Sequence, residues 1–190
     1  ICMIPSNEVP ERSDEVRDAY AEMEGLGRLI IKEYPTGAAT VQTLRSHIEK
    51  LSLKGFIPDL LVIDYADIMR SSRQYDSMRH ELQKVYEDLR ILAMEKQIPT
   101  WSACQSNRES ASSDIVGLEN MSESYGKAQV ADVVISISRK PTEKASGLGR
   151  IFIAKNRAGR DGILFPVKLN TAMSMFSIIE NAEEMTLSEA

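Results

Sequence analysis

A single carboxylate, Asp64, follows the apolar run Leu60 to Ile63, which is itself preceded by the breaker pair Pro58-Asp59. A short apolar run rich in β-branched residues is typical of a buried parallel strand. In nucleoside triphosphatases, the Walker B strand carries an Asp to the carboxyl edge of the sheet, where it holds the water shell of a phosphate-bound Mg²⁺ ion. Many parallel strands also end on a polar residue, so this run alone does not separate a metal-shell Asp from a structural one.

Further polar groups follow later strand-like runs. Gln105, with Asn107 and Arg108, comes after the run that starts at Pro99, Arg139 comes after Asp132 to Ser138, and Lys155-Asn156-Arg157 ends the run from Arg150. The carboxyl ends of strands in α/β proteins are where ligands bind, so we expect these groups to converge on one edge. Any one of them alone is as readily an ordinary surface residue. Their joint occurrence favours a ligand site.

Hydrophobic periodicity predicts the elements that would position these groups. Apolar residues three and four apart predict a helix that starts at the N-cap Thr40 and a long crossover helix after Met69. The predicted strands cover 27–34, 60–64, 99–105, 132–138, 150–155 and 164–169. Helices between buried strands imply a mainly parallel sheet with right-handed crossovers. The short turn Gly159 to Gly162 predicts a terminal antiparallel hairpin at the sheet edge.

Composition is that of about one globular domain, with 190 residues of which 43% are hydrophobic. We divide the chain into a peripheral acidic and helical segment (1–26), a core (27–170) and a carboxyl-terminal extension with an acidic tail (171–190). There is no apolar run of about 20 residues and no signal-peptide pattern, so we expect a cytoplasmic protein without a membrane partner. Cys2 and Cys104 have no partners at ligand spacing, which argues against a zinc site or disulfide framework. The net charge of −5 does not advertise nucleic-acid binding, but loop arginines could still face DNA.

A Walker B carboxylate needs phosphates nearby, normally cradled by a Gly-rich loop that ends in Lys and Ser or Thr. The sequence contains no such loop, because Gly25-Leu26-Gly27 and Gly147-Leu148-Gly149 lack the Lys-Ser/Thr pair. Either the protein is no nucleotide hydrolase, or the loop lies upstream of Ile1. The chain begins with Ile rather than Met, and we expect it to be a fragment.

A set of motifs in a particular order decides between these two. It consists of Pro58-Asp59-Leu60-Leu61-Val62-Ile63-Asp64-Tyr65, Ile98 to Arg108, Ser122-Glu123-Ser124-Tyr125-Gly126, Ala131-Asp132-Val133-Val134 and Ala154-Lys155-Asn156-Arg157-Ala158-Gly159. The set resembles the carboxyl-terminal ATPase domain of DnaB-type replicative helicases, from about Gly27 to Asn170. The stretch Gly27 to Gly37 looks most like the version in large tailed phages.

The resemblance implies a RecA-like P-loop NTPase core, incomplete at its amino terminus, that belongs to a motor unwinding DNA during replication in a bacterium or a phage-infected host. Its cofactors would be ATP and Mg²⁺. By position, Asp64 resembles the Walker B Asp that holds Mg²⁺ through water, and Gln105 resembles the sensor of the γ-phosphate. Lys155 and Arg157 resemble the pair inserted into the neighbouring subunit's nucleotide site. The implied partners are single-stranded DNA, further subunits of a hexameric ring, a primase and a helicase loader.

The resemblance also implies DNA contacts. The segment Ser122 to Lys127 resembles the central loop that holds phosphates, although Ser122 stands where relatives can have a basic residue and Tyr125 replaces what is often a smaller one. The candidate DNA-binding residues are Arg70, Arg73, Arg108, Glu123, Ser124, Tyr125, Gly126 and Lys127.

Two departures from the family pattern shape the expected activity. The phosphate loop and the catalytic Glu have no counterpart here, so we expect this chain alone not to hydrolyse ATP. The alternatives are a RecA- or KaiC-like recombination or regulatory ATPase, and a degenerate, non-hydrolysing interaction module. The cluster Lys155-Asn156-Arg157 on a late strand favours the helicase.

Overall fold

The computed structural model describes residues 4–22, 25, 27–73, 75, 77–107, 115–118 and 125–179. Helices and strands alternate in its first half, and strands dominate its second half. In chain order the elements are α1 (Ser13–Ala21), α2 (Val41–Leu53), β1 (Leu61–Ile63), α3 (Met78–Lys96), β2 (Thr100–Ser102), α4 (Tyr125–Val130), β3 (Val133–Ser138), β4 (Leu148–Asn156), β5 (Ile163–Asn170) and β6 (Met175–Ile178). Short 3₁₀ turns cover Ala66–Ile68 and Pro141–Glu143.

The parallel part of the fold consists of β1 and β2, which α3 connects as the predicted crossover helix. Leu61 pairs with Thr100 and Ile63 with Ser102. Their parallel direction places the carboxyl ends of both strands at one edge.

The core lies between these strands and the helices α2 and α3. The three- and four-residue spacing of its apolar residues gives α3 one buried face, as the sequence predicts. The buried cluster consists of Val41, Ile48, Ala66, Val85, Leu89, Leu92 and Ile98. The start of α2 is also as predicted, since the Thr40 hydroxyl accepts a hydrogen bond of 3.2 Å from the Thr43 amide.

The second sheet is an antiparallel meander in the order β3-β4-β5-β6. Val133 pairs with Asn156 at one end of the β3–β4 ladder and Ser138 with Arg150 at the other. The predicted turn at 159–162 joins β4 to β5. The strand β6 continues the sheet beyond residue 170, where we placed the boundary between the core and the extension.

Two features differ from the sequence-based expectation. Antiparallel pairing is more extensive than the predicted hairpin, because β3 and β6 also belong to the meander. The strand predicted at 27–34 is wrong, because this segment is extended but has no strand assignment. Arg28 anchors it by donating to the Gly55 carbonyl oxygen (2.9 Å) and by lying 4.8 Å from the Phe56 ring centroid. A β-prone sequence becomes a strand only where a partner edge is within reach.

Candidate functional site

The parallel pairing of β1 and β2 brings two of the predicted site residues to one edge. Asp64 directly follows Ile63, and Gln105 lies three residues after Ser102, the residue paired with Ile63. Both side chains are exposed. A carboxylate and an amide thus lie at neighbouring strand ends and are accessible to a ligand, which is the arrangement expected of a nucleotide site in an α/β fold.

The turn that carries Asp64 is fastened to β2 by a side chain that the sequence did not reveal. The Ser102 hydroxyl accepts a hydrogen bond from the Ala66 amide (2.9 Å) and lies 3.2 Å from the Ile63 carbonyl oxygen, to which it can donate. Ser102 therefore holds both sides of the Asp64 turn, since one contact precedes Asp64 and the other follows it.

A buried ion pair lies beneath this edge. The Lys127 ammonium is fully buried and lies 2.8 Å from the Asp67 carboxylate, to which the Tyr86 hydroxyl also donates at 2.8 Å. The Lys127 Nζ is 5.7 Å from the Tyr86 ring centroid. Burial, followed by the Asp67 charge and hydrogen bond, raises the pKa of Tyr86 far above its ordinary value, so the phenol stays protonated.

This placement bears on the predicted DNA contact of Lys127. With its ammonium fully buried against Asp67, Lys127 is not available to a phosphate in this conformation. Sequence reasoning assigned the charge to a surface because lysine is almost never fully buried without a partner. The partner lies 60 residues earlier in the chain, and no local pattern indicates it.

A cleft of about 940 Å³ separates the two sheets. Its walls include β2, the segment Cys104 to Ser106 and the strand β3, and its lining is mainly apolar. Among the described residues, β2 pairs only with β1 and β3 only with β4, so each strand has an edge without a strand partner. Burial, followed by the negative charge of Asp67, raises the pKa of the Cys104 thiol in this cleft.

Lys155 lies against the end of α4. Its ammonium donates to the carbonyl oxygens of Ala128 (2.7 Å), Gln129 (3.2 Å) and Ala131 (2.7 Å). The last carbonyls of a helix have no intrahelical partner, and a cation there satisfies them and complements the helix dipole. Lys155 therefore fixes the end of α4 to β4.

Arg157 is more accessible. Its guanidinium lies 3.0 Å from the Asp132 carboxylate, and the side chains of this pair are 50% and 58% exposed. Arg90 approaches the same carboxylate at 2.9 Å and donates to the Val130 carbonyl oxygen at 2.7 Å. The contacts that we find for Lys155 and Arg157 in the described part of the chain are with α4 and Asp132, and Asp64 is not among them.

Arg139 does not join this cationic group. In the antiparallel β3–β4 ladder, Asn156 lies beside Val133 at the start of β3, whereas Arg139 follows its end. Six strand residues at about 3.3 Å each separate the two ends. The expected convergence of Arg139 with Lys155 and Arg157 is therefore wrong, because β4 runs antiparallel to β3 rather than parallel.

The remaining predicted DNA-binding residues divide into two groups. Arg70 and Arg73 have exposed side chains on the loop that leads from β1 to α3. Tyr125 and Gly126 open α4. Arg108, Glu123 and Ser124 lie outside the described residues.

The donor set is compatible with a nucleotide-bound Mg²⁺ ion. Within the described ranges there is no group of three or more His, Cys, Asp or Glu side chains that could hold a metal by themselves. Mg²⁺ in phosphate-transfer enzymes typically needs only one or two carboxylates and takes its other ligands from water and phosphates. The single exposed carboxylate of Asp64 fits that role. The described helices include none long and apolar enough to cross a membrane.

Comparison with solved structures defines the class of the protein. The chain superimposes on a helicase ATPase domain of known structure with a TM-score of 0.75 over 93% of its own length and 66% of that chain, at 19% identity. It also matches a DnaB-like replicative helicase, solved in a study of its interactions with primase, with a TM-score of 0.65, 20% identity and coverage of 74% and 36%. The RecA-like α/β fold predicted from the sequence is thereby confirmed.

Sequence comparison then gives the family. The model of the DnaB-like helicase C-terminal domain matches residues 6–177, so the chain belongs to this family. The DnaB-like replicative helicase of Enterobacteria phage T4 is 32% identical over 151 residues, which cover 70% of this chain and 32% of that protein. A probable plasmid replicative DNA helicase of Chlamydia psittaci is 30% identical over 129 residues, or 65% and 28% of the two chains. The chain thus spans about a third of the length of these relatives, and the predicted resemblance is confirmed.

Proposed function

We propose that this chain is part of an ATP-dependent replicative DNA helicase motor that translocates on single-stranded DNA and unwinds the duplex. The observation that carries the proposal is the pairing of β1 with β2, which brings the exposed side chains of Asp64 and Gln105 to one strand edge in a member of the DnaB-like family. No observation favours a recombination ATPase or a degenerate module.

In this proposal the strand edge binds Mg²⁺–ATP. The bound nucleotide supplies the phosphoryl group, and the metal neutralises its charge. Asp64 orients the water shell of the metal, while Gln105 contacts the γ-phosphate region and responds to its loss. Ser102 keeps the Asp64 turn in register with β2, so that both groups keep a constant spacing.

Arg157 is proposed to act on the site of a neighbouring subunit in a hexameric ring. A guanidinium is suited to stabilise the charge that develops on a transferred phosphoryl group. The support is that the Arg157 side chain is half exposed and contacts Asp132 rather than Asp64 of its own chain. Lys155, which holds three carbonyl oxygens, is better placed to anchor the base of this segment than to reach a neighbour.

The proposal includes the DNA and protein partners that the sequence predicts. Single-stranded DNA would contact the segment Ser122 to Gly126 together with Arg70, Arg73 and Arg108. A primase and a helicase loader would bind the assembled ring, in the cytoplasm. Support for the primase comes from the structural neighbour whose interactions with primase have been studied.

We also propose that the isolated 190-residue chain does not hydrolyse ATP. Its sequence has no Gly-rich loop that ends in Lys and Ser or Thr, and it matches only 66% of the solved ATPase domain. The cleft between β2 and β3 would accommodate a strand that carries such a loop. Hydrolysis by the purified 190-residue chain, with a rate that falls in Asp64→Asn, would contradict this part of the proposal.

The test of the proposed function uses the full-length protein that contains this chain. Asp64→Asn should lower DNA-stimulated ATP hydrolysis and duplex unwinding on the order of 100-fold, the usual cost of removing a group that stabilises charge in a transition state. The matched control is Asp59→Asn, which neutralises an exposed carboxylate just before β1 and should leave both activities unchanged. Equal activity of the parent and the Asp64 variant would refute the proposed site.

A further inference from the structure

The buried cluster of Asp67, Lys127 and Tyr86 connects three separate parts of the fold. Asp67 lies in the 3₁₀ turn after β1, Tyr86 on α3 and Lys127 on α4. Both oxygens of the Asp67 carboxylate are engaged, one by the Lys127 ammonium and the other by the Tyr86 hydroxyl, each at 2.8 Å. The cluster is therefore a closed set of contacts with a defined geometry.

Such a cluster is not explained by stability alone. Removing an ammonium and a carboxylate from water costs several kcal/mol per ion, and an apolar pair of similar volume often gives an equally stable fold. The Lys127 side chain is 0% exposed and that of Asp67 is 14% exposed, so solvent screens the pair very little. A buried charge pair does, however, define one relative position of the elements that carry it, because any displacement leaves a charge without a partner.

The position that the pair defines lies between two predicted functional segments. Asp67 is three residues after Asp64, and the amide of the intervening Ala66 is bound by Ser102. At the other end, Lys127 lies on the first turn of α4, directly after the segment predicted to contact DNA. A shift of α4 would therefore reach the Asp64 turn through the ion pair.

We propose that Asp67 and Lys127 are positioning residues that couple DNA contact at the start of α4 to the orientation of the Asp64 carboxylate. The inference rests on the proposed function and adds the residues that connect its two sites. Neither side chain is proposed to touch nucleotide or DNA. Tyr86 supports the pair by holding the second carboxylate oxygen.

The test measures coupling in the full-length protein, as the ratio of ATP hydrolysis rates with and without single-stranded DNA. Lys127→Met and Asp67→Asn should each lower this ratio at least about fivefold, the lower end of typical coupling between two sites. A purely structural role would lower both rates together through the folded fraction and leave the ratio unchanged. The matched control is Lys96→Met, which removes a surface ion pair (Nζ to Glu49, 3.1 Å) and should preserve the ratio.

A double variant, Asp67→Leu with Lys127→Met, keeps the test decisive if a single variant does not fold. It removes both charges together, so we expect a folded domain with the same low ratio, and the two losses should not add. A normal ratio in any folded variant would overturn the inference. So would a double variant that does not fold, because the pair would then serve the fold itself. If the parent protein shows no DNA-stimulated hydrolysis, the proposed function fails instead.

Discussion

The Lys155 ammonium and the Arg157 guanidinium lie two residues apart, but the structure predicts very different consequences for their removal. Lys155 donates to three carbonyl oxygens at the end of α4, whereas Arg157 makes one hydrogen bond of 3.3 Å to that region and one exposed ion pair. We expect Lys155→Ala to loosen α4 and Arg157→Ala to leave it intact. Only the second substitution would then report on catalysis alone.

The contacts set the magnitude. A hydrogen bond from a charged group contributes about 1.5–3 kcal/mol, but Lys155 is only partly buried and water can replace some of the three bonds. We therefore expect a loss of about 2 kcal/mol for the whole set, which is roughly a 30-fold change in an opening equilibrium. The Arg157–Asp132 pair is half exposed, and such pairs contribute about 1 kcal/mol or less.

Hydrogen exchange of the α4 amides in the full-length protein measures this local opening directly. Exchange should be about 30-fold faster in Lys155→Ala and less than about fivefold faster in Arg157→Ala. Exchange in α2, which is not in contact with Lys155, is the internal reference. An unchanged rate for α4 in Lys155→Ala would refute the assignment of this side chain to the helix end.

Three further substitutions test the fold. Gly149→Ala should destabilise the meander by about 1–3 kcal/mol in thermal unfolding, since the added Cβ would lie 2.5 Å from a leucine methyl carbon, whereas Gly27→Ala meets no atom within 4 Å and should be neutral. Thr40→Ala should cost about 1 kcal/mol by removing the N-cap of α2, and Ser77→Ala, whose side chain makes no cap bond to α3, should cost less. The pKa of Glu143 is lowered by its arginine partner, so its contribution is present above the ordinary value of 4.5 and is lost as the pH falls; Glu143→Gln should flatten the decline of stability below pH 4.5.

The helices and the Asp64 edge could be predicted because their signals are local. Apolar residues at helical spacing define α2 and α3, and a capping threonine marks where α2 begins. The run before Asp64 identified β1, and the expected alternation of helix and strand made β2 its parallel neighbour.

The features that the sequence did not predict depend on contacts between distant residues. A strand pattern does not specify the direction of its partner, so the antiparallel pairing of β3 and the separation of Arg139 from Arg157 were not apparent. The burial of Lys127 depends on Asp67, which is remote in the chain. The segment 27–34 has strand-forming residues, but the described structure offers it no edge.

Subunit mixing tests the central claim most directly, namely that Asp64 and Arg157 of different subunits complete one nucleotide site. Full-length Asp64→Asn and Arg157→Ala proteins should each be inactive alone, and Arg157→Ala should still bind nucleotide. In a mixed head-to-tail ring, roughly a quarter of the interfaces would combine an intact Asp64 with a neighbour's intact Arg157. We predict that mixing restores ATP hydrolysis up to about that fraction of the parent rate. A mixture that exchanges subunits but stays inactive would contradict the account.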